Sequence, residues 1–362
     1  MTTFQLYGTW NGMLKQWLIN TCHTRRTNLI WLIVGLYLGQ SVQAGTIVKH
    51  WPIAAEVTSL TRRLSRFLDN GAVRPAVWYR PVARHLLARW AGRTVTLIID
   101  ATKVGAGHQL VMVAIAYRKR ALPLAWTWVP FIKGHVASDV QLALLKRVSG
   151  LVPAGVTVVL TGDSGFGSVA LIRQLKGWGW QYVLRQISKH QVRPSPAASW
   201  INFAQLVSAP GQSVWRPHAD FTLRWAEPTG LLAYWAAGEA EAWLLTTNLP
   251  DAHAARHAYA QRMWIEEMFG DWKGHGWDLQ TTHLRHPDRL SRLTLAICLL
   301  YVWLVLYGQR VIKAGWRVWV DRRDRRDLSI FRIGWDVLQR SFTLLRQPPV
   351  PLPNLLASFS VR

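Results

Sequence analysis

The apolar positions of the chain change rhythm several times. Over residues 28–40 and 53–68 they recur at helical spacing. Within 59–67 the apolar residues are Leu60, Leu64 and Phe67, and Arg62, Arg63 and Arg66 fill the gaps between them. One face of that helix would be buried and the other positive, which suits either a helix lying on DNA or an ordinary solvated face. From Thr94 the period shortens. Apolar, β-branched runs at 94–99, 108–117 and 122–129 predict three successive strands. Then 139–148 reads as a helix, 156–160 as a fourth strand, 168–178 as a helix and 182–187 as a fifth strand. Three strands followed by alternation predict a mixed α/β sheet. Residues 188–252 lose this rhythm, with prolines, turns and short strand-like pieces such as 242–247. Helical spacing returns at 254–273 and 288–308, and 309–362 reads as a basic tail with four prolines near its end.

Composition narrows the classes. Of 362 residues, 43 are Lys or Arg and 19 are Asp or Glu, a formal net charge of +24, with 50% hydrophobic residues. That apolar content excludes a disordered basic tail. Two isolated cysteines, Cys22 and Cys298, exclude a disulfide scaffold. A strongly positive folded chain meets a polyanion, nucleic acid first, with a membrane surface as the competing reading. Arginines account for 33 of the 43 cations, from bidentate phosphate recognition or from GC-rich codon usage. The 22 tryptophans exceed what a core of this size needs, so some could stack on bases while most pack. The apolar runs 29–38 and 294–307 fall short of the about 20 residues a membrane span requires. Val42-Gln43-Ala44 has the look of a signal-peptide cleavage site, but the region before it is too long. A soluble, cytoplasmic protein with no membrane partner is expected.

The acids are few enough to weigh singly. Only Asp139 lies between Asp100 and Asp163. Asp100 ends an apolar run and Asp163 directly follows one, so each is either poised at a sheet edge, where α/β active sites form, or an ordinary turn residue. The third element is residues 259–273. On one continuous helix the offsets 3, 7 and 14 from Tyr259 return close to the same direction. Tyr259, Arg262, Glu266 and Lys273 would then share a face. A phenol, two cations and a carboxylate there suit phosphates and a metal, or else a salt-bridged surface helix.

These residues carry a resemblance. The spacing YxxRxxxExxxxxxK resembles the C-terminal signature of a large group of DDE transposases from bacterial insertion sequences, and all four positions match. LIIDAT around Asp100 and LTGDSGFG around Asp163 resemble the group's other two acidic motifs, and WLLTTNLP from Trp243 resembles the segment before the signature. The likeness spans about residues 85–310. Ser164 departs from it, because the group often has arginine there, and Glu267 and Asp271 are neighbouring carboxylates that a motif scan could confuse with Glu266.

The resemblance implies an RNase H-like mixed sheet core with a β-rich insertion and a helical N-terminal DNA-binding domain. It divides the chain into a helical DNA-binding domain at 1–86, the first part of the catalytic core at 87–187, the insertion at 188–252, the second part with the glutamate helix at 253–310, and a basic C-terminal region at 311–362. Asp100, Asp163 and Glu266 would be the catalytic, metal-holding acids. Three carboxylates can hold two divalent ions about 3.5–4 Å apart, and hard oxygen donors suit Mg²⁺ or Mn²⁺. Zinc is disfavoured, since the cysteines are isolated and His283 and His286 lack partners. By resemblance Tyr259, Arg262 and Lys273 contact the transposon end, and Trp243 stacks on a base flipped from the duplex, or else is a core residue of an inserted strand. The implied activity is binding of terminal inverted repeats, cleavage of the ends and joining of 3′ ends to target DNA. A homodimer in a synaptic complex on double-stranded DNA, associated with a bacterial nucleoid, is implied with it. The alternative is a catalytically inactive or domesticated DNA-binding protein. The loop 162–167 lacks the GxxxxGK[ST] pattern of an NTPase.

Overall fold

The computed structural model describes residues 1–105, 107–131 and 136–356. The chain opens with helices α1 (Thr3–Trp17), α2 (His23–Gly39), α3 (Ala44–Lys49), α4 (Val57–Asp69) and α5 (Pro75–Ala88). The start of α1 is fixed by a capping box. The Thr2 hydroxyl accepts from the Gln5 backbone, and the Gln5 side chain accepts from that of Thr2. Proline stands in the first turn of α5, where its missing N–H costs nothing. Neither α1 nor α5 is evident from apolar spacing alone.

The sheet region contains β1 (Thr94–Val104), β2 (His108–Tyr117), β3 (Arg120–Pro130), α6 (Ser138–Ser149), β4 (Thr157–Gly162), α7 (Val169–Gly177) and β5 (Gln181–Arg185). There follow β6 (Gln191–Arg193), β7 (Ile201–Asn202), β8 (Ser213–Phe221), β9 (Glu227–Tyr234) and β10 (Trp243–Thr247). The chain closes with α8 (Ala252–Ala260), α9 (Met263–Trp272), α10 (Pro287–Lys313) and α11 (Ile330–Thr343). The mixed α/β sheet and the helical amino-terminal segment are therefore present. The strand order is β3-β2-β1-β4-β5-β10-β9-β8-β6-β7. Strands β4 and β5 run parallel to β1, and the remaining ladders are antiparallel. The irregular segment after β5 thus extends the same sheet, because β10 pairs with β5.

Two expectations are corrected. Strand β1 does not stop at Ile99. It continues to Val104 because β2 folds back on it, from Val104 opposite His108 to Leu97 opposite Ile115. Within the segment read as a basic tail, residues 309–356 pack onto the core and include a further helix. Helix α11 buries Phe331, Ile333, Trp335 and Leu338 against α10. Trp303 Nε1 donates to the carbonyl of Pro353, and Arg310 Nη1 to those of Pro351 and Leu352. The two helices approach so closely that a Cβ on Gly308 would collide with the backbone of Ile330.

Helix α10 is the axis of the helical core, packing on α2, α4, α5, α11 and β3. It is long and apolar enough to cross a membrane by length and composition, yet 94% of its most apolar window is buried inside the protein. Trp10, Trp272, Trp277, Trp303 and Trp335 are fully buried, so much of the tryptophan excess is packing.

Candidate active site

The parallel pairing of β1 with β4 places two acids side by side. Ile99 is level with Gly162, so Asp100 follows on β1 where Asp163 follows the end of β4, and the two strand axes are about 4.8 Å apart. Strand β4 ends at Gly162 while β1 continues, which opens the sheet face beside Asp100. The turn after β4 is held by Asp163 itself, whose Oδ1 accepts from the Gly165 N–H at 2.9 Å. Its other end presses on β5. A Cβ on Gly167 would meet the Gln186 side chain and the Arg185 carbonyl, so only glycine fits there.

The third carboxylate arrives from α9. Arg262, which immediately precedes that helix, donates from Nη1 to Asp100 Oδ2 at 3.3 Å and pairs from Nη2 with Glu266 Oε1 at 2.7 Å. Asp100 and Arg262 are buried, while the Glu266 side chain is 46% exposed. Asp100, Asp163, Arg185, Arg262, Glu266 and Lys273 line one cavity of about 490 Å³. Burial, reinforced by the negative charge of Asp163, pushes the Asp100 carboxyl up to about 7 against the pull of Arg262. Burial lowers the Lys273 ammonium.

The expected single helix of 254–273 is broken. Between α8 and α9 the N–H groups of Trp264 and Ile265 bond to Gln261 and Arg262, a tighter i→i−3 turn. Tyr259 does not itself line the cavity, but its phenol lies within electrostatic range of the cavity residues Arg262, Arg185 and Asp163. Its ring is buried in a small apolar cluster with Val159, Val183, Leu232 and Leu245. Burial raises that phenol, with Arg262 and Arg185 opposing. Trp243, half-buried at the start of β10, packs edge-to-face on Tyr259 at 4.9 Å between ring centres. Arg262 reaches over the same ring, its guanidinium carbon 5.8 Å from the centroid.

Glu267 and Asp271 point elsewhere. Arg120, the first residue of β3, pairs with Asp271 at 2.7 Å and with Glu267 at 3.1 Å, and Tyr301 donates to Asp271 at 3.1 Å. Successive helix residues diverge by about 100°, so Glu266 alone of the three turns to the cavity. Burial pushes the Asp271 carboxyl up to about 6, opposed chiefly by Arg120. His283 and His286 are exposed. On α4, Arg62 and Arg66 face solvent, whereas Arg63 turns inward, donating to Asn28 at 2.8 Å and lying over the Trp51 ring.

Arg185 is a cavity residue that reading of the sequence missed. Glu241 orients it at 2.8 Å. The available signal is a basic residue inside the predicted strand 182–187 after the Asp163 loop, on the strand adjacent to β4.

Among the described residues, no three His, Cys, Asp or Glu side chains are disposed to enclose an ion in this arrangement. The donor chemistry nevertheless fits a hard divalent cation. Three carboxylates reach one cavity, and burial, with the charge of Asp163 added to it, raises Asp100. The Arg262 guanidinium supplies positive charge between Asp100 and Glu266.

Residues 91–303 match the family described as the transposase DDE domain. No curated protein matches the chain. Among solved structures the chain is similar to the piggyBac transposase in a cryo-EM structure of its synaptic complex with hairpin DNA. The identity is 12%, the TM-score 0.44, and the similarity covers 98% of this chain and 83% of that one.

Proposed function

The chain belongs to the transposase DDE domain family, and from that premise we propose that it is a metal-dependent transposase whose active site is the Asp100–Asp163–Glu266 cavity. It binds terminal inverted repeats of double-stranded DNA, cleaves the ends and joins the 3′ ends to target DNA. The observation that carries the reading is the convergence of three carboxylates and three cations, Arg185, Arg262 and Lys273, on one open cavity. Asp100, Asp163 and Glu266 would hold Mg²⁺ or Mn²⁺, two ions in all. Bound there, the ions would neutralise the phosphate and activate the attacking oxygen.

The chain's own residues do the positioning. Arg185 and Lys273 hold the non-bridging oxygens of the scissile phosphate, with Glu241 fixing the direction of Arg185. Arg262 keeps Asp100 and Glu266 turned toward each other before substrate arrives. Tyr259 acts through its neighbours, as a wall against which Trp243 and Arg262 are set. Trp243 presents its indole to a base extruded from the duplex. Residues 1–86, with Arg62 and Arg66 outward, form the end-binding domain, and 87–187 with 253–310 form the RNase H-like core. Residues 188–252 form the insertion and 311–362 the basic C-terminal region. Two copies pair two ends, and the protein works on the bacterial nucleoid in the cytoplasm.

The test is cleavage and strand transfer on a duplex that carries the repeats flanking its coding region, with Mg²⁺. Activity that vanishes in Asp100→Ala, Asp163→Ala and Glu266→Ala supports the reading. Wild-type activity in any one removes that residue from the site. DNA retention without metal-dependent nicking in the wild type would instead mark a protein that only binds DNA.

A further inference from the structure

A second concave site lies outside the carboxylate cavity, at the outer edge of the sheet. It is a cavity of about 610 Å³ between α5, the edge strand β3, the end of α6 and the start of α10. Strand β3 lies two places from β1, about 10 Å away at ordinary strand spacing, and none of the three carboxylates lines this cavity.

Its wall is one-signed. Arg74, Arg80, Arg84 and Lys146 are exposed and converge on it, and their side chains have no hydrogen-bonding or ion-pair partner among the described residues. Arg80 and Arg84 are one helical turn apart on α5, so they project side by side. The lone acid on the rim, Asp288, is fully in solvent, 4.0 Å from Arg292. The floor is apolar, formed by Tyr79, Leu124 and Trp126. A cleft lined by one sign of charge over a low-dielectric floor focuses its field and concentrates counter-ions.

The cleft is also held rigid. Arg292, buried in α10, donates to the carbonyls of Leu68 at 2.8 Å and Val73 at 3.1 Å, and Arg289 pairs with Asp69 at 2.9 Å. These contacts staple the α4–α5 connection onto α10, so the cations of α5 stand in place before any ligand binds. Arg147 closes the far side by donating to the Trp126 carbonyl at 2.9 Å.

We infer that this cleft is a second DNA site, which grips the phosphate backbone of duplex DNA without reading its sequence. The inference rests on the transposase reading. A rigid row of unpaired cations across helical segment and core suits a regular polyanion, and Arg and Lys are the usual contacts to its phosphate oxygens. A backbone contact of this kind releases counter-ions, so affinity falls with salt by about 0.9 in log–log slope per phosphate engaged.

The experiment measures binding of a random-sequence duplex by fluorescence anisotropy across a salt series. It compares the wild type with two triple variants. Arg80→Ala/Arg84→Ala/Lys146→Ala removes three cleft cations, and Lys15→Ala/Lys313→Ala/Arg346→Ala removes equal charge from exposed positions elsewhere. All substitutions are at exposed side chains, and circular dichroism melting verifies the folds. A slope shallower by about 2–3 in the cleft variant alone, with at least a tenfold loss at low salt, supports the site. Wild-type slope in the cleft variant, or equal loss in both triples, overturns it while leaving the transposase reading intact. A wild type that binds no duplex overturns the transposase reading itself.

Discussion

Arg262 and Asp100 lie 162 residues apart in sequence and 3.3 Å apart in the fold, and the same guanidinium holds Glu266 at 2.7 Å. An organic cation thus occupies the interval between two carboxylates that are expected to receive a metal. The two charges compete for the same oxygens. Arg262→Gln removes the resident charge, so Mn²⁺ is expected to bind the DNA-free protein several-fold more tightly. Isothermal titration with Mn²⁺ measures this, and unchanged or weaker affinity would show that the arginine does not compete.

The Asp100 carboxyl is pushed up to about 7 in the fold, against an ordinary aspartate value near 4. The native state therefore holds a proton that the unfolded chain has already released between those two values. Stability from this group is fully present below about pH 4 and is lost as pH rises toward 7. Asp100→Asn, which stays neutral, should match the wild type near pH 4 and exceed it at pH 8 by on the order of 2–4 kcal/mol. Thermal melts at both values decide it, and a difference independent of pH would refute it.

Arg120, largely shielded from solvent, ties the start of β3 to the buried Asp271. Removing one partner strands the other charge, so Arg120→Ala should cost about 3–5 kcal/mol in urea unfolding. Glu267 is 58% exposed, and Glu267→Ala should change stability by less than about 0.5 kcal/mol. Equal costs would mean that the pair does not anchor α9.

Trp243 is set against Tyr259 but keeps an accessible face. If that face takes an extruded base, the interaction is worth about 1–3 kcal/mol. Trp243→Ala should then slow end processing at least tenfold and Trp243→Phe much less. A 2-aminopurine placed at the cleavage junction should lose its quenching in the alanine variant alone. Equal rates in the two variants would assign Trp243 to packing.

The three acids are legible in the sequence because carboxylates are scarce and two of them border apolar runs. Glu266 is distinguished from Glu267 and Asp271 by its spacing from Arg262. The break between α8 and α9 is hidden, because both halves keep the same helical period and the interruption is two i→i−3 bonds. The burial of Tyr259 is hidden with it. Its polar hydroxyl suggests a wet face, but the apolar cluster beneath it buries the ring. Arg185 acquires meaning only when β5 lies beside β4, a relation of tertiary structure. Helix α11 is masked by its charged outer face, where Arg332 pairs with Asp336. Its apolar face becomes visible only against α10.

Helix α10 also bears on how the protein is made. Emerging from a ribosome, its apolar stretch offers targeting and insertion machinery a segment of spanning length. Four of the elements it packs on, α2, α4, α5 and β3, have by then already been synthesised. The order of elements along the chain supplies a waiting cradle, so this segment can be hidden almost as soon as it appears. Moving it ahead of those partners by circular permutation would expose it while nothing yet exists to cover it.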